Sequence, residues 1–256
     1  MFDKHFETFL ADSGAGKDIH YQLRYQIYCM KMGYEDPTLY PDRKERDEFD
    51  DDAVHFIVRR KATGEWIAAM RLVIGPLGDL PINQLARIDL TRISEATAGG
   101  IHGASQWCAE VSRLCVAPGY RRRVHEKNLP YQFSEKERLT PIESASYERR
   151  QAPWILLGLL RAAREYSLAQ GIPYWFFLIA DSLARLLQGQ GIELNVVGQV
   201  CNHRGLRRPH LSNIRTVHPG VQLKSPAAHA MFFRCPSYRL FSELEDESML
   251  EIAANE

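Results

Sequence analysis

The sequence predicts a mixed α/β (α+β) fold in one domain spanning residues 1–256, with a central mixed sheet flanked by helices. The composition is that of an ordinary globular chain, with 45% hydrophobic and 25% charged residues. Two apolar stretches joined at Thr63 and Gly64 are typical of a β-hairpin. The second half of the chain, over residues 153–200, alternates helix, strand, helix and strand, which indicates helices packed on a sheet.

The first predicted helix covers residues 17–31. Its apolar side chains fall on one stripe, as a buried helix face requires: Ile19, Leu23, Ile27 and Met30. Residues 33–52 follow as a loop, because they hold too many charges and helix breakers for a regular element.

The predicted hairpin pairs residues 54–60 with residues 65–74. Residues 75–105 are rich in Gly, Pro and Ser and are predicted mostly as loop, with a short helix near residues 82–86.

A mostly apolar strand is predicted between residues 107 and 116, and Pro118 with Gly119 ends it. Two charged residues, Glu110 and Arg113, lie inside this strand. Because burying a charge is costly unless it is paired or used, both need partners. Residues three apart on a regular strand face opposite sides, so these two can share a cavity only if a bulge lies between them.

A long helix is predicted over residues 153–170, because Pro153 suits its first turn and Gly171 its end. Residues 172–180 are too β-rich and too short for a helix and predict a buried strand. The other predicted features are a helix at 182–188 capped by Asp181, strands at 192–200 and 213–223, a helix at 226–233, a polar insertion at about 124–152 and an acidic surface tail at about 243–256.

The net charge is zero, but its distribution is uneven. Residues 194–242 contain no Asp or Glu. Such an interval can steer an acidic partner, or it can be a solvated face that acids elsewhere in the fold neutralise. Its seven cations are Arg204, Arg207, Arg208, Arg215, Lys224, Arg234 and Arg239.

Five scattered cysteines without metal-type spacing predict reduced thiols in the cytoplasm and no metal site. The chain shows no stretch of about 20 apolar residues and no signal-peptide core, so neither a membrane span nor secretion is expected. It also lacks a recognised nucleic-acid-binding motif, so no nucleic-acid partner is expected.

Four short motifs follow one another in a fixed order. They are Leu-Arg-Tyr at 23–25, Asp-x-x-Asp at 47–50, Met-Arg-Leu at 70–72 and Glu-x-x-Arg-Leu-Cys-Val at 110–116. This order resembles the autoinducer (acyl-homoserine-lactone) synthases and the N-acyl amino acid synthases of the GNAT acyltransferase superfamily. The acyltransferases associated with PEP-CTERM/exosortase systems are the nearest look-alike. The resemblance implies a GNAT-like sheet.

The resemblance also implies roles for particular residues. Glu110 is the candidate general base or orients the attacking amine, and Arg113 would hold Glu110, the loop acids or the acceptor. Backbone amides of Leu114, Cys115 and Val116 would bind the pantetheine arm. On the acceptor side the resemblance implies Arg24, Tyr28, Asp47, Asp50 and Arg71, and at the donor phosphates Arg121, Arg122 and Arg123. Arg71 requires a carboxylate partner, for which Asp47, Asp50 and Glu110 are candidates.

Each of these residues also has a purely structural interpretation, as a surface side chain or as a structural ion pair. The chain departs from autoinducer synthases in its length, in Tyr34 where they often carry Trp, and in the insertion, where the Gly-x-Gly of ordinary GNAT enzymes is missing.

The favoured hypothesis is an N-acyltransferase that moves a fatty acyl chain from an acyl-phosphopantetheine thioester to a small amine such as an amino acid. The donor would be acyl carrier protein, which is favoured as a partner, or coenzyme A, and no permanently bound cofactor is expected. The alternatives are an acetyl-CoA-dependent GNAT acetyltransferase and a non-enzymatic basic interaction module.

Overall fold

The computed structural model describes residues 2–101, 103–120, 151–217, 221–222 and 226–254. Nine strands in this part of the chain form one mixed sheet. They are β1 (Phe6–Leu10), β2 (Val54–Arg60), β3 (Trp66–Pro76), β4 (Trp107–Val116), β5 (Tyr174–Ile179), β6 (Asn195–Val196), β7 (Cys201–Asn202), β8 (Leu206–Asn213) and β9 (Arg239–Leu240).

The strands lie in the order β6-β8-β5-β4-β3-β2-β1-β9, with β7 paired to β8 outside this path. Strands β1 to β4 form an antiparallel meander. Strand β5 then pairs parallel to β4 and antiparallel to β8. The β4–β5 boundary is therefore a parallel pairing within a mostly antiparallel sheet.

Eight α-helices surround the described part of the sheet. They are α1 (Phe2–His5), α2 (Gly14–Arg24), α3 (Ile82–Leu85), α4 (Leu90–Ala96), α5 (Ala152–Ala169), α6 (Asp181–Gly189), α7 (Pro226–Phe232) and α8 (Phe241–Ala254). Helix α2 continues as a π-helix at Tyr25–Lys31, and short 3₁₀ turns occur at Pro37–Leu39, Leu77–Asp79 and Pro118–Tyr120.

The long helix α5 packs on one face of the sheet and helix α2 on the other. Alternation along β2 shows why: Phe56 and Val58 belong to the apolar cluster that contains α5, whereas Ile57 belongs to the one that contains α2. The indole N–H of buried Trp175 donates to Ser167 Oγ over 3.0 Å, which fixes β5 against α5. Both faces of the central strands are thus buried.

The structure confirms the predicted hairpin, the strand through residues 107–116 and the helix at residues 153–170. The first helix starts earlier than predicted, because Ser13 caps it by accepting from Gly16 N–H. The short helix near residue 82 is also present, and the helix at 226–233 ends at Phe232.

Three other predictions are wrong. Only Asn195 and Val196 of residues 192–200 form a strand, and the strand expected at 213–223 is instead β8, which ends at Asn213. Asp181 is not the cap of α6: Ala180 holds that position and Asp181 is the first helical residue. The strand β1 and the helix α4 were not expected from the sequence.

Two predicted features extend beyond the residues that the structure describes. The polar insertion lies outside the described residues up to residue 150, while Ala152 already belongs to α5. The acidic segment from residue 243 is helical through Ala254, as part of α8.

The five cysteines form no disulfide with one another. Over the described ranges, no helix combines the length and apolarity that crossing a membrane needs. The same ranges hold no group of three or more His, Cys, Asp and Glu side chains arranged to bind a metal ion.

Candidate active site

Strand β4 contains a β-bulge at Arg113. In its antiparallel pairing with β3, Ala69 lies opposite Cys115 and Arg71 lies opposite Ser112. Between these two pairs β4 therefore has one residue more than β3, which is the definition of a bulge. Arg113 takes up the extra length with a φ of 49°, in the left-handed region that L-residues seldom adopt.

The bulge changes which side chains share a side of the sheet. An unbroken strand would put Ser112 and Arg113 on opposite faces, but both reach the groups around Arg71: Ser112 Oγ accepts from Arg71 Nε at 3.2 Å, and Arg113 pairs with Asp47, which Arg71 also contacts. Glu110 lies two residues before Ser112, hence on the same face, and all three residues line one cavity. The condition that the sequence set for a shared site is therefore met. Arg113 does not pair with Glu110, however, and contacts two loop carboxylates instead.

Three arginines and three carboxylates form a closed ring of ion pairs beside this bulge. Each arginine contacts two of the carboxylates, and each carboxylate contacts two of the arginines. Arg24 pairs with Glu45 and with Asp50 at 2.6 Å, Arg71 pairs with Asp50 at 2.9 Å and with Asp47, and Arg113 pairs with Asp47 at 2.5 Å and with Glu45 at 3.2 Å. We call these six residues the arginine–carboxylate ring.

The ring is neutral, and four of its six residues are buried. Its least accessible members, Arg24, Glu45, Asp50 and Arg71, are at most 1% exposed. Three positive and three negative charges cancel, which is the condition under which buried charges are tolerated. Removal of a single partner would leave an uncompensated buried charge at a cost of about 3–5 kcal/mol.

Asp50 shows how strongly the ring favours ionised carboxylates. Burial would raise its pKa, but the hydrogen bond from Arg24 and the charges of Arg24 and Arg71 hold that pKa well below its usual range. Asp50 also accepts from Asp47 N–H through its second oxygen at 2.8 Å, which folds the loop back on itself. Its carbonyl oxygen lies 2.9 Å from the ring nitrogen Nε2 of buried His55.

Glu110 lies outside the ring and behaves in the opposite way. Burial raises its pKa to about 7, although a hydrogen bond from Ile82 N–H and the charges of Arg71 and Arg113 act to lower it. The Ile82 N–H donates to Oε2 over 2.6 Å and fixes the carboxylate. A buried carboxyl with this pKa is suited to exchanging a proton near neutral pH.

The cavity lies where β4 and β5 separate. These strands pair only from Ala109 to Val111 on β4, opposite Trp175 to Phe177 on β5. Beyond this point no strand among the described residues borders this edge of β4, and a cavity of about 350 Å³ opens between Leu114 and Val116 on one side and Leu178 and Ile179 on the other.

The backbone of β4 offers a hydrogen-bond donor to this cavity. Ala117 N–H donates to Ile67 O in β3 over 2.7 Å. Because successive amides on a strand point to alternate edges, Cys115 N–H points toward β3 and Val116 N–H toward the open edge. Cys115 does not line the cavity, whereas Val116 does.

The cavity has a polar end and an apolar end. At the polar end, Tyr28 donates from its hydroxyl to Leu114 O over 2.9 Å, and its ring lies 6.1 Å from that of Tyr34. The apolar end is formed by helices α5 and α6 with the end of β5: Ala152, Pro153, Leu156, Leu178, Ile179, Leu183 and Leu186.

The structure thus brings together the residues predicted for the acceptor side and the two predicted catalytic residues. The three consecutive arginines, Arg121 to Arg123, lie outside the described residues. Sequence reasoning missed Glu45, which closes the ring, and the turn at 203–207, which also lines the cavity. Counting charges could have found Glu45, because three arginines and two aspartates leave one cation unpaired.

The basic interval at 194–242 is largely neutralised by acids from other parts of the fold. Arg208 pairs with Asp181 at 3.2 Å, and Arg239 pairs with Glu247 at 2.5 Å. Arg204 pairs with Glu35, and Arg234 lies 3.9 Å from Asp3. The structural alternative therefore accounts for much of this charge, and the case for a docking surface is weaker than the sequence indicated.

Residues 23–129 match the family model of the acetyltransferase (GNAT) domain. The chain has the GNAT-like acyltransferase fold. The match and the fold confirm the predicted fold class and support an acyltransferase. A comparison with curated proteins found no match.

Solved structures with the same fold include acyl synthases of low sequence identity. The CoA-dependent acyl-homoserine lactone synthase BjaI with MTA is 17% identical, with a TM-score of 0.56, and the match covers 92% of each chain. FeeM, an N-acyl amino acid synthase from uncultured soil microbes, is 13% identical, with a TM-score of 0.53, over 85% of this chain and 95% of its own. The AHL synthase LasI is 14% identical, with a TM-score of 0.54, over 85% and 96%.

Proposed function

We propose that this protein is an N-acyltransferase that moves a fatty acyl chain from an acyl-phosphopantetheine thioester to a small amine such as an amino acid. The observation that carries the proposal is that one cavity is lined both by Glu110 and by an apolar wall. Aminolysis of a lipid thioester needs two features, a proton acceptor and an apolar compartment for the acyl chain.

The chemistry at Glu110 follows from its environment. With a pKa of about 7, the carboxylate accepts a proton from the amine nitrogen as that nitrogen attacks the thioester carbonyl carbon. The carbonyl oxygen becomes negative and is stabilised by a backbone donor, for which Val116 N–H at the open strand edge is the candidate. The C–S bond then breaks, the leaving thiolate takes the proton from Glu110, and the amide is formed with Glu110 ionised again.

The arginine–carboxylate ring positions the acceptor side rather than reacting. Most side-chain hydrogen bonds of Arg24, Asp47, Asp50 and Arg71 join them to one another and to Glu45 and Arg113. Tyr28 donates to Leu114 O at the strand edge and lies close enough to Arg113 and Arg24 to interact electrostatically with both. The role proposed for these residues is therefore to form the wall of the acceptor site, against which the amine binds and is oriented.

The apolar end favours a fatty chain over an acetyl group. Apolar side chains from three elements, the end of β5 and helices α5 and α6, line it, which is more apolar surface than a two-carbon chain can cover. An acetyl-CoA-dependent acetyltransferase remains the second candidate, because residues 23–129 match the acetyltransferase (GNAT) domain.

The test is to incubate the purified protein with acetyl and longer acyl chains, each loaded on CoA and on acyl carrier protein, and with a panel of amines. Mass spectrometry of the products then identifies chain length, carrier and acceptor together. Transfer of longer chains is expected, with kcat/KM at least about tenfold above that for acetyl. Exclusive use of acetyl-CoA would support the second candidate, and absence of any acylated product would refute both.

Two variants sharpen this test. Glu110→Gln keeps the shape of the side chain but removes the base, and it is expected to lower kcat about 10²–10⁴-fold. Ser112→Ala serves as the matched control in the same strand and cavity, since its hydroxyl only accepts from Arg71 Nε at 3.2 Å. Loss of activity in the serine variant alone would point to a covalent route and contradict direct transfer.

A further inference from the structure

Arg207 is a cation in the cavity without an acidic partner in the described part of the chain. Three arginines line the cavity: Arg113, Arg204 and Arg207. Arg113 belongs to the arginine–carboxylate ring, and Arg204 pairs with Glu35. Arg207 instead donates from Nε to His203 O at 3.2 Å and from Nη2 to Arg204 O at 3.3 Å.

These two hydrogen bonds fix the guanidinium without neutralising it. Both acceptors are backbone carbonyls of the turn that precedes β8, so Arg207 is held in place by its own hairpin. A guanidinium has five N–H donors, and only two are used here. Within the described residues this leaves both donors on Nη1 and one on Nη2, and the parallel donors on Nη1 and Nη2 form the planar pair that matches a carboxylate.

The surroundings of this turn are positive. Burial lowers the pKa of His203, and the charges of Arg113 and Arg207 lower it further. Arg204 lies close enough to Tyr28 and Tyr34 to interact electrostatically with both. The turn therefore faces the polar end of the cavity, beside the ring, and not the apolar end.

We propose that Arg207 binds a carboxylate of the acceptor, so that the acceptor class is α-amino acids rather than simple amines. This inference rests on the proposed function. In such an acceptor the amine and the carboxylate are joined through one carbon, which lets the amine approach Glu110 while the carboxylate pairs with the unneutralised arginine in the same cavity. A charge-assisted, partly buried pair of this kind changes affinity by roughly 10–100-fold.

The first measurement is binding and does not require turnover. Thermal unfolding is followed with matched probes that differ only in the carboxylate, such as tyrosine with tyramine, phenylalanine with phenethylamine, and glycine with methylamine. At least one amino acid is expected to raise the Tm of the wild type while its matched amine does not. Arg207→Gln is expected to abolish this difference.

Arg208→Gln is the matched control, because the two arginines are adjacent on β8 but Arg208 does not line the cavity and pairs with Asp181 on the outside. It should retain the preference for the amino acid. Arg207→Lys should restore part of it, since a lysine keeps the charge but not the fork. Equal stabilisation by amine and amino acid in the wild type would overturn the inference.

The second measurement is kinetic. With any acyl donor that the wild type accepts, Arg207→Gln should raise the KM for the amino acid at least about tenfold and leave the KM for the donor unchanged. A rise in donor KM instead would mean that Arg207 binds the donor's phosphate, and the inference falls. If amines and amino acids are acylated equally well, the inference also falls while the proposed function stands. If nothing is acylated, the proposed function fails and the binding preference alone decides the inference.

Discussion

Replacing Glu110 by glutamine should stabilise the protein at alkaline pH while it removes activity. The pKa of Glu110 is about 7 in the fold against a reference value of 4.5, because burial penalises its charged form. At about 1.4 kcal/mol for each pH unit, ionising this group in the folded state costs roughly 3 kcal/mol. Glutamine has the same shape, can still accept from Ile82 N–H and never ionises.

The sign of the pH dependence follows from this raised pKa. Stability contributed by protonated Glu110 is fully present below pH 4.5 and is lost as pH rises toward 7. The wild type and Glu110→Gln should therefore be equally stable at pH 4 and should diverge up to pH 7. Above that, the variant should be more stable by roughly 3 kcal/mol, or about 6 °C in Tm for a chain of this length.

Chemical denaturation at pH 4, 6 and 8 measures this difference directly. Glu45→Gln is the matched control, because Glu45 is equally inaccessible but pairs with Arg24 and Arg113. That variant should have a free energy of unfolding about 3–5 kcal/mol below that of the wild type at pH 8, so the same Glu-to-Gln change should destabilise at residue 45 and stabilise at residue 110. If Glu110→Gln is destabilised at pH 8, or if its difference from the wild type does not change with pH, the reasoning about Glu110 is refuted.

Three other outcomes are expected. Tyr28→Phe should lower the free energy of unfolding by about 1 kcal/mol in chemical denaturation, because the hydrogen bond from the hydroxyl to Leu114 O disappears. An unchanged denaturation midpoint would contradict this hydrogen bond. Gly158→Ala should lose about 1–3 kcal/mol, since its Cβ would lie 2.3 Å from the Phe2 ring, and Phe2→Leu in the same chain should recover part of it. Asp50→Asn should lower the free energy of unfolding by about 3–5 kcal/mol at pH 7, and that loss should shrink below about pH 4, where Asp50 begins to protonate in the unfolded chain while its lowered pKa keeps it ionised in the fold.

Much of the fold was predictable because the spacing of apolar residues along the sequence indicates which side chains are buried. Strand β5, with Trp175 and Phe176 among its buried residues, and helix α5 stand out in the sequence through apolar composition and clear boundaries. Strand β8 did not, because it contains Pro209 and two arginines, which argue against a central strand. Its pairing with β5 is a long-range contact that local composition does not report.

The site was predictable in its residues but not in its geometry. The charged residues inside an apolar strand were visible in the sequence, and so was the need for carboxylate partners. Which acid pairs with which arginine depends on how the loop at residues 33–52 folds back, and that is a tertiary property. The left-handed Arg113 is likewise invisible, because nothing in its neighbours requires that backbone conformation.

The closed arrangement of three arginines and three carboxylates has a consequence for how this region can be altered. In a cycle of alternating signs, deleting one member always leaves a net charge, whereas deleting two neighbours of opposite sign leaves a shorter neutral chain. Redesign of this region is thus expected to succeed when an acid and its adjacent arginine are exchanged together. Balance between positive and negative charges, more than the identity of any one residue, determines which substitutions this region tolerates.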